Sequence, residues 1–201
     1  MPWKVVTIAE YQLSELINLC EDEGMNKKQL KEYINEEVYG DYRKSKERLT
    51  IIDRVWCKYL SPSTNAVYLI RRKQYVESKG KIGRLFGKYY RILLMRRYCI
   101  HVNSNAVIGL GFRLVHPMCI SIAECEIGTN FTIYQCCTVG AKSLDCLETP
   151  KIGSNVTMYS GSSIIGGIEV GDDVSIGANS LLIKNACEPG VYIGSPAKRK
   201  V

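Results

Sequence analysis

From residue 102 onward the chain repeats every six residues, and this repeat limits most strongly how it can fold. Nine blocks place an aliphatic residue first and a small or apolar residue fifth, and five of them have glycine second, where a tight corner needs unusual backbone angles. Stacked hexapeptides are typical of a parallel β-helix, whose coils bury their aliphatic side chains and pair their backbones. The first positions are Val102, Ile108, Ile127, Ile133, Ile152, Met158, Ile164, Val170 and Ile176.

Charge and glycine content divide the chain of 201 residues into two unequal halves. Residues 1–99 carry a net charge of +8 and five glycines, whereas residues 100–201 carry −1 and twelve glycines. This shift predicts a boundary near Cys99. The expected fold class is α+β, with an α-helical N-terminal domain over 1–99 and a β-helix domain over 100–201.

Helix start signals recur in the first half. Thr7 and Thr50 each open a capping box, and Asn26 is expected to cap a further helix. A break is predicted over residues 61–65, followed by helices over 66–78 and 82–98. The amphipathic period of the last helix predicts an inner face of Ile82, Leu85, Phe86, Tyr89 and Leu93.

The segment 71–97 contains ten basic residues and one acid, Glu77, interleaved with tyrosines. A solvated helical face is one interpretation. Contact with an anionic membrane surface or another polyanion is a second. Nucleic-acid binding is a third, and the lack of a nucleic-acid-binding motif argues against it.

The cysteines and the N-terminus indicate a reduced, cytoplasmic protein, with membrane association as the alternative that the basic segment raises. The nine cysteines are odd in number and include no CxxC pair, so free thiols are expected and a metal site is not. The first residues, MPWKVVTIAEYQ, do not have the pattern of a signal peptide, and no stretch reaches the ~20 apolar residues of a membrane span.

The six-residue register fails twice, and a functional site is expected at these breaks because uniform coils would form a smooth prism. The first break lies between Leu114 and Ile122 and contains His116, one of only two histidines. The second lies between Val139 and Ile152 and accommodates a loop over 141–150. A neutral imidazole is a natural general base near pH 7, so His116 is the candidate catalytic residue.

Four segments carry a resemblance to a known family. GFRLVHPMCISI (111–122), IGTNFTIYQCCTVG (127–140), PKIGSN (150–155) and IGSPAK (193–198) are similar to segments of the serine acetyltransferase family, in particular its branch in surface-polysaccharide biosynthesis. The resemblance covers residues 64–201. It implies a left-handed β-helix, a homotrimer with sites between neighbouring subunits, and acetyl-CoA as donor. It also implies that His116 deprotonates the acceptor hydroxyl as that oxygen attacks the thioester.

Several positions depart from the family pattern. An Asp fifteen residues before the base orients its imidazole in serine acetyltransferases, and His101 stands there in this chain. His101 is therefore a second, weaker catalytic candidate. Where the family has a substrate-holding His and an Asp beside the base, this chain has Thr149 and Val115. These losses argue against free L-serine as acceptor.

The donor side follows the family more closely. The resemblance implies that acetyl-CoA lies along small corner residues, here Ala141, Ser160 and Ala178, with its adenine end near the loop that holds Pro196 and Lys198. The basic residues Lys198, Arg199 and Lys200 are candidates for contact with the CoA phosphates. The resemblance places Gln135 in the same groove, where it could touch either substrate.

The function expected from these residues is an acetyl-CoA-dependent O-acetyltransferase that modifies a sugar hydroxyl in surface-polysaccharide biosynthesis. Serine O-acetyltransferase, N-acetyltransferase of an amino sugar and a non-catalytic trimeric module are the alternatives. A zinc enzyme of the carbonic-anhydrase type is disfavoured, because two histidines cannot supply its three ligands. The sequence does not identify the acceptor.

Overall fold

The computed structural model describes residues 25–45, 48–143 and 148–200, so the helix predicted from Thr7 lies outside the described residues. In the described part, the N-terminal half holds five α-helices, two of which continue as a π-helical turn. The helices are α1 (Lys27–Tyr33, continued by Ile34–Val38), α2 (Gly40–Ser45), α3 (Ile51–Val55, continued by Trp56–Leu60), α4 (Pro62–Glu77) and α5 (Gly80–Tyr98).

The described helix starts follow the predicted capping signals, with one difference. Asn26 and Thr50 each form a capping box, with Gln29 and Asp53 as the third-position partners. The break predicted over 61–65 is wrong in part, because α4 begins at Pro62. Proline has no N–H to lose at the first helical position, so it starts a helix readily.

The inner face predicted for helix α5 is right in part, because Phe86, Tyr89 and Leu93 are half-buried against the core. Ile82 and Leu85 are exposed, whereas Gly83, Gly87, Tyr90 and Leu94 are buried. The two glycines let α4 and α5 approach closely: a Cβ at Gly83 would lie 1.9 Å from the carbonyl oxygen of Val76. The close backbone approach at these glycines therefore turns the buried face of α5 toward Gly83 and Gly87.

The second half is a parallel β-helix of about five coils built from short strands in three sheets. The first sheet has the order β1-β4-β7-β10-β13, the second β2-β5-β8-β11 and the third β3-β6-β9-β12-β14, with β15 added antiparallel to β14. The strands are β1 (His101–Val102), β2 (Val107–Ile108), β3 (Arg113–Leu114), β4 (Ser121–Ile122), β5 (Glu126–Ile127), β6 (Thr132–Ile133), β7 (Thr138–Gly140), β8 (Lys151–Ile152), β9 (Thr157–Met158), β10 (Ser163–Ile165), β11 (Glu169–Val170), β12 (Val174–Ile176), β13 (Leu181–Leu182), β14 (Gly190–Gly194) and β15 (Ala197–Arg199).

The repeat positions form the core of this β-helix. All nine first positions and all nine fifth positions of the hexapeptide blocks are buried. Columns of like residues result, such as Val102, Ile122, Val139, Ile164 and Leu182 in the first sheet. The prediction of a helical region followed by a parallel β-helix is confirmed, while the trimer stays a prediction.

A buried ion pair attaches the helices to the first coil. The guanidinium of Arg71 donates to both carboxylate oxygens of Glu37 at 2.6 and 2.7 Å and to the carbonyls of Ile108 and Gly109 at 2.8 and 2.6 Å. Glu37 in turn accepts the N–H groups of Gly111 and Phe112, both at 3.0 Å. These four backbone groups lie at the open edge of the β-helix, so the pair satisfies polar groups that no further coil reaches.

Replacement of Arg71 tests this attachment. We expect Arg71→Met to lower the free energy of unfolding by about 3–5 kcal/mol, because Glu37 would remain as a buried charge without a partner. Arg113→Met is the matched control, since Arg113 pairs with Asp41 across the same two regions but both side chains are more than half exposed. Its loss should cost no more than ~1 kcal/mol. If urea denaturation gave the two variants the same loss in free energy of unfolding, the assignment would be contradicted.

Candidate active site

His116 lies on a two-residue bulge at the corner between β3 and β4. The Val115 N–H donates to the Ile133 carbonyl, and the Cys136 N–H donates to the Met118 carbonyl. Later coils are paired by backbone hydrogen bonds at the equivalent positions. His116 and Pro117 are therefore two extra residues that have no equivalent in the neighbouring coil. Because of them, His101 aligns with Ser121, twenty residues further on, whereas the regular interval is eighteen. The first predicted break is therefore this bulge.

Two contacts hold the bulge, and the imidazole remains exposed. The Ser63 hydroxyl of α4 donates to the Val115 carbonyl at 2.9 Å, and the Met118 N–H donates to the His116 carbonyl at 2.8 Å. The imidazole meets the Tyr134 ring edge-on at 6.2 Å between centroids. It borders a cavity of about 580 Å³ lined by Pro62, Met95, Arg96, Arg97, Tyr98, Cys99, His116, Pro117 and Met118.

Three of the predicted site residues form a column at this same corner. Gly161 donates its N–H to the Gln135 carbonyl and Asn179 donates to the Ser160 carbonyl, both at 2.9 Å, so Gln135, Ser160 and Ala178 stack on successive coils. Met118 stands above Gln135 in this column. The small side chains of Ser160 and Ala178 leave the corner shallow below His116.

Gln135 carries an unsatisfied acceptor. Its Oε1 is buried and has no hydrogen-bond partner within the part of the chain that the structure describes. An unpaired buried acceptor costs about 1–3 kcal/mol, so such an atom in a native structure calls for an explanation. A donor supplied by a bound molecule would remove that cost.

The other loop-forming break lies at a different corner of the coil. It lies between β7 and β8 and lengthens that coil. Thr138 of β7 aligns with Ser163 of β10, which is 25 residues further along the chain instead of the regular eighteen. Ala141 follows β7 and Thr149 precedes β8, so one chain does not bring these two predicted residues together with His116. The intervening residues 144–147 lie outside the described residues.

His101 shares no hydrogen bond with His116 among the described residues, and its catalytic role stays a prediction. It belongs to β1 and aligns with Ser121, and its backbone N–H donates to the Ile120 carbonyl. Burial, together with the charges of Lys73 and Arg91, lowers the pKa of His101 below its ordinary value of 6.5. The neutral ring is therefore favoured at pH 7.

The three C-terminal basic residues differ in whether their side chains are paired within the chain. Arg199 donates to the carbonyl of Pro189 and pairs with the carboxylate of Glu188, so its guanidinium is occupied within the chain. Lys198 and Lys200 are exposed on or beside the β14–β15 hairpin, whose turn contains Pro196. Of the three predicted phosphate contacts, these two lysines are the better placed.

The basic segment 71–97 is not a uniform charged surface. Arg71 and Lys73 are buried in ion pairs with Glu37 and Glu77. The exposed basic residues of this segment are Lys81, Arg84, Lys88, Arg91, Arg96 and Arg97. Contact of this segment with a membrane or polyanion stays a prediction.

The described residues contain neither a membrane-spanning helix nor a cluster of metal ligands. None of the helices combines the length and apolar character needed to cross a bilayer. No group of three or more His, Cys, Asp or Glu side chains is placed to hold a metal ion there.

Comparison with known proteins bears on the fold and the acceptor. Residues 149–184 match the family described as bacterial transferase hexapeptide (six repeats). A serine acetyltransferase of Staphylococcus aureus (strain Mu50) is 31% identical over 131 residues, which cover 64% of this chain and 60% of that protein. The Mycobacterium tuberculosis serine acetyltransferase is 28% identical over 167 residues, covering 79% of this chain and 70% of that protein. The chain thus spans about 60% of the length of the staphylococcal relatives.

Solved structures show the same fold. The crystal structure of Neisseria gonorrhoeae serine acetyltransferase has a TM-score of 0.71 at 20% identity, covering 87% of this chain and 66% of that one. A serine acetyltransferase in complex with CoA has a TM-score of 0.69 at 20% identity, covering 87% and 71%. Helices followed by a hexapeptide β-helix are common to all of them.

The predicted sugar acceptor was wrong, and with it the place in surface-polysaccharide biosynthesis. The relatives and the solved structures are named serine acetyltransferases, which favours the alternative of serine O-acetylation. Thr149 and Val115 do not decide the acceptor. Neither residue defines the site alone, because Thr149 lies at another corner from His116.

The neutral His101 predicts a pH dependence of stability. Because its pKa is lowered in the folded chain, the unfolded chain takes up this proton first as the pH falls through 6.5, and the free energy of unfolding decreases. Well above 6.5, where the ring is neutral in both states, this group should contribute no slope to the free energy of unfolding. Urea denaturation at several pH values, with His101→Gln as the control that loses the effect, measures it. An NMR titration that gives His101 a pKa above 6.5 would contradict it.

Proposed function

We propose that this protein is an acetyl-CoA-dependent serine O-acetyltransferase with His116 as its general base. The observation that carries the proposal is the exposed imidazole on the two-residue bulge, above the column of Gln135, Ser160 and Ala178. The serine acetyltransferase relatives support the choice of donor and acceptor.

The proposed reaction needs one base and no covalent enzyme intermediate. His116 removes the proton from the L-serine hydroxyl while that oxygen attacks the thioester carbonyl of acetyl-CoA. A tetrahedral intermediate forms and collapses as the carbon–sulfur bond breaks. The imidazolium then returns its proton to the departing CoA thiolate, which leaves O-acetylserine, CoA and a neutral His116.

The cavity beside His116 suits an amino-acid acceptor. Arg96 and Arg97 line it and offer a cationic partner for the serine carboxylate, which takes over part of the role lost with Val115 and Thr149. Gln135 stacks below Met118 at the same corner, and its unsatisfied Oε1 is the acceptor that we propose for a substrate N–H. These three polar side chains replace the family's usual substrate contacts.

The donor would lie along the small corner residues Ser160 and Ala178, with its phosphates toward Lys198 and Lys200. Ala141 and Thr149 lie at another corner of the same chain, so they can join this site only from a second subunit. A homotrimer of parallel prisms would place one subunit's Ala141 corner against its neighbour's His116 corner. We therefore propose a trimer with shared sites.

Acetyl transfer with matched acceptors tests the function. We expect acetyl-CoA to be consumed with L-serine, with O-acetylserine identified by mass, and not with L-alanine, which lacks the hydroxyl. His116→Asn should lower kcat by about 10²–10⁴-fold, because a general base contributes that much. His101→Asn should keep kcat near wild type.

Three results would contradict this proposal. Activity toward glucosamine alone would favour N-acetylation. Acetyl-CoA that neither turns over nor raises the melting temperature would favour a non-catalytic module. Full kcat in His116→Asn would remove the base.

Mixed oligomers test the shared site. The protein should have a mass of three times 22.6 kDa by light scattering. His116→Asn and Ala141→Trp should each be inactive, the second because the indole would fill the donor corner. Co-expressed, they should recover about a quarter of wild-type activity, since some sites would combine both intact corners. Mixed trimers without recovered activity would show that each chain builds its site alone.

A further inference from the structure

Three exposed cysteines occupy equivalent positions on successive levels of one corner. Cys99, Cys119 and Cys136 have φ values of 55°, 53° and 59°, in the left-handed region. The column continues with Gly161 and Asn179, at 71° and 56°. Glycine and asparagine are the residues that adopt this conformation most readily, so three cysteines there are unusual.

Backbone hydrogen bonds fix the alignment of the column. Cys119 donates its N–H to the Tyr98 carbonyl at 3.0 Å, and Cys136 donates to the Met118 carbonyl at 2.9 Å. Neighbouring strands lie about 4.8 Å apart, so aligned residues of adjacent coils fall within the ~4.4–6.8 Å between Cα atoms that a disulfide requires.

Equivalent residues elsewhere show that side chains at such positions meet. At the corner between the second and third sheets, Asn130, Asn155 and Asp173 have the same left-handed φ. Asn130 donates to Asn155, and Asn155 donates to Asp173, each at 3.0 Å. In the cysteine column itself, the Asn179 Oδ1 lies 2.2 Å from where a Cβ on Gly161 would stand. Side chains in these columns therefore reach the adjacent coil.

We propose that Cys119 and Cys136 are a thiol pair that hydrogen peroxide oxidises to a disulfide across two coils. One thiolate attacks a peroxide oxygen, the O–O bond breaks, and the departing hydroxide takes up a proton to form water. The second thiol attacks the resulting sulfenic acid, the S–O bond breaks, and the proton of that thiol leaves with the hydroxide as a second water. One disulfide and two water molecules are formed from two thiols and one peroxide.

Cys119 pairs with Cys136 rather than with Cys99 because both residues belong to coil corners, as the contacting asparagines do. Cys99 instead ends helix α5, where its conformation is set by the helix terminus. The bond would join the loop that carries His116 to the residue after Gln135. Burial, with the charge of Glu124, raises the pKa of the Cys125 thiol to about 12, which disfavours its thiolate.

Peptide mapping of the full chain tests the pair independently of acetyl transfer. After peroxide treatment and blocking of free thiols, cleavage after Lys, Arg and Glu separates Cys99 (98–113), Cys119 (114–124) and Cys136 (127–142). We expect the second and third peptides to be linked, two reactive thiols to be lost, and dithiothreitol to restore both.

Serine variants assign the bond. Cys119→Ser and Cys136→Ser should each abolish the link, whereas Cys187→Ser, which removes an exposed cysteine outside the column, should leave it intact. Absence of the link in the wild-type chain, a link to the 98–113 peptide instead, or a link that persists in Cys136→Ser through Cys137 would overturn the proposal.

Discussion

The buried pair of Arg71 and Glu37 connects two regions that have little in common. One region is held by helix–helix packing, whereas each coil of the other contacts only the coil before and after it. The first coil therefore has an edge that nothing in the repeat can satisfy, and the pair bonds four of its backbone groups. The same first coil carries His116, between β3 and β4, so the pair contacts the coil that holds the candidate site. A buried ion pair adds little stability by itself, and its role here is to fix position.

The repeat also decides where chemistry can occur. Strands in register leave no room for an extra residue inside a coil, so insertions must leave at corners. His116 and Pro117 are such an insertion of two residues, and the loop over 141–150 is the longer one. Because the coil has separate corners, the insertions face different directions in one chain. That separation is the physical reason to expect neighbouring subunits to complete each other's sites.

Local rules made most of the β-helix predictable. The nine first positions and nine fifth positions are buried as the six-residue pattern indicates, since each follows from the alternation of inward and outward side chains. The face of α5 was predictable only in part: Phe86, Tyr89 and Leu93 pack against the core, but Gly83 and Gly87 are buried while the apolar Ile82 and Leu85 are exposed. Gln135 and His116 could be singled out from the sequence, but the unsatisfied oxygen and the surrounding cavity required coordinates.

The cysteine column shows why the remainder could not be predicted. Cys99, Cys119 and Cys136 are separated by twenty and seventeen residues, and neither interval equals the regular eighteen. They align only because the first coil gains two residues at His116 and the second loses one between β4 and β5. Sequence spacing alone treats these thiols as unrelated small residues. Two opposite deviations from the repeat bring them to one corner, directly beside the proposed base, so the irregularity that exposes His116 also stacks the thiols.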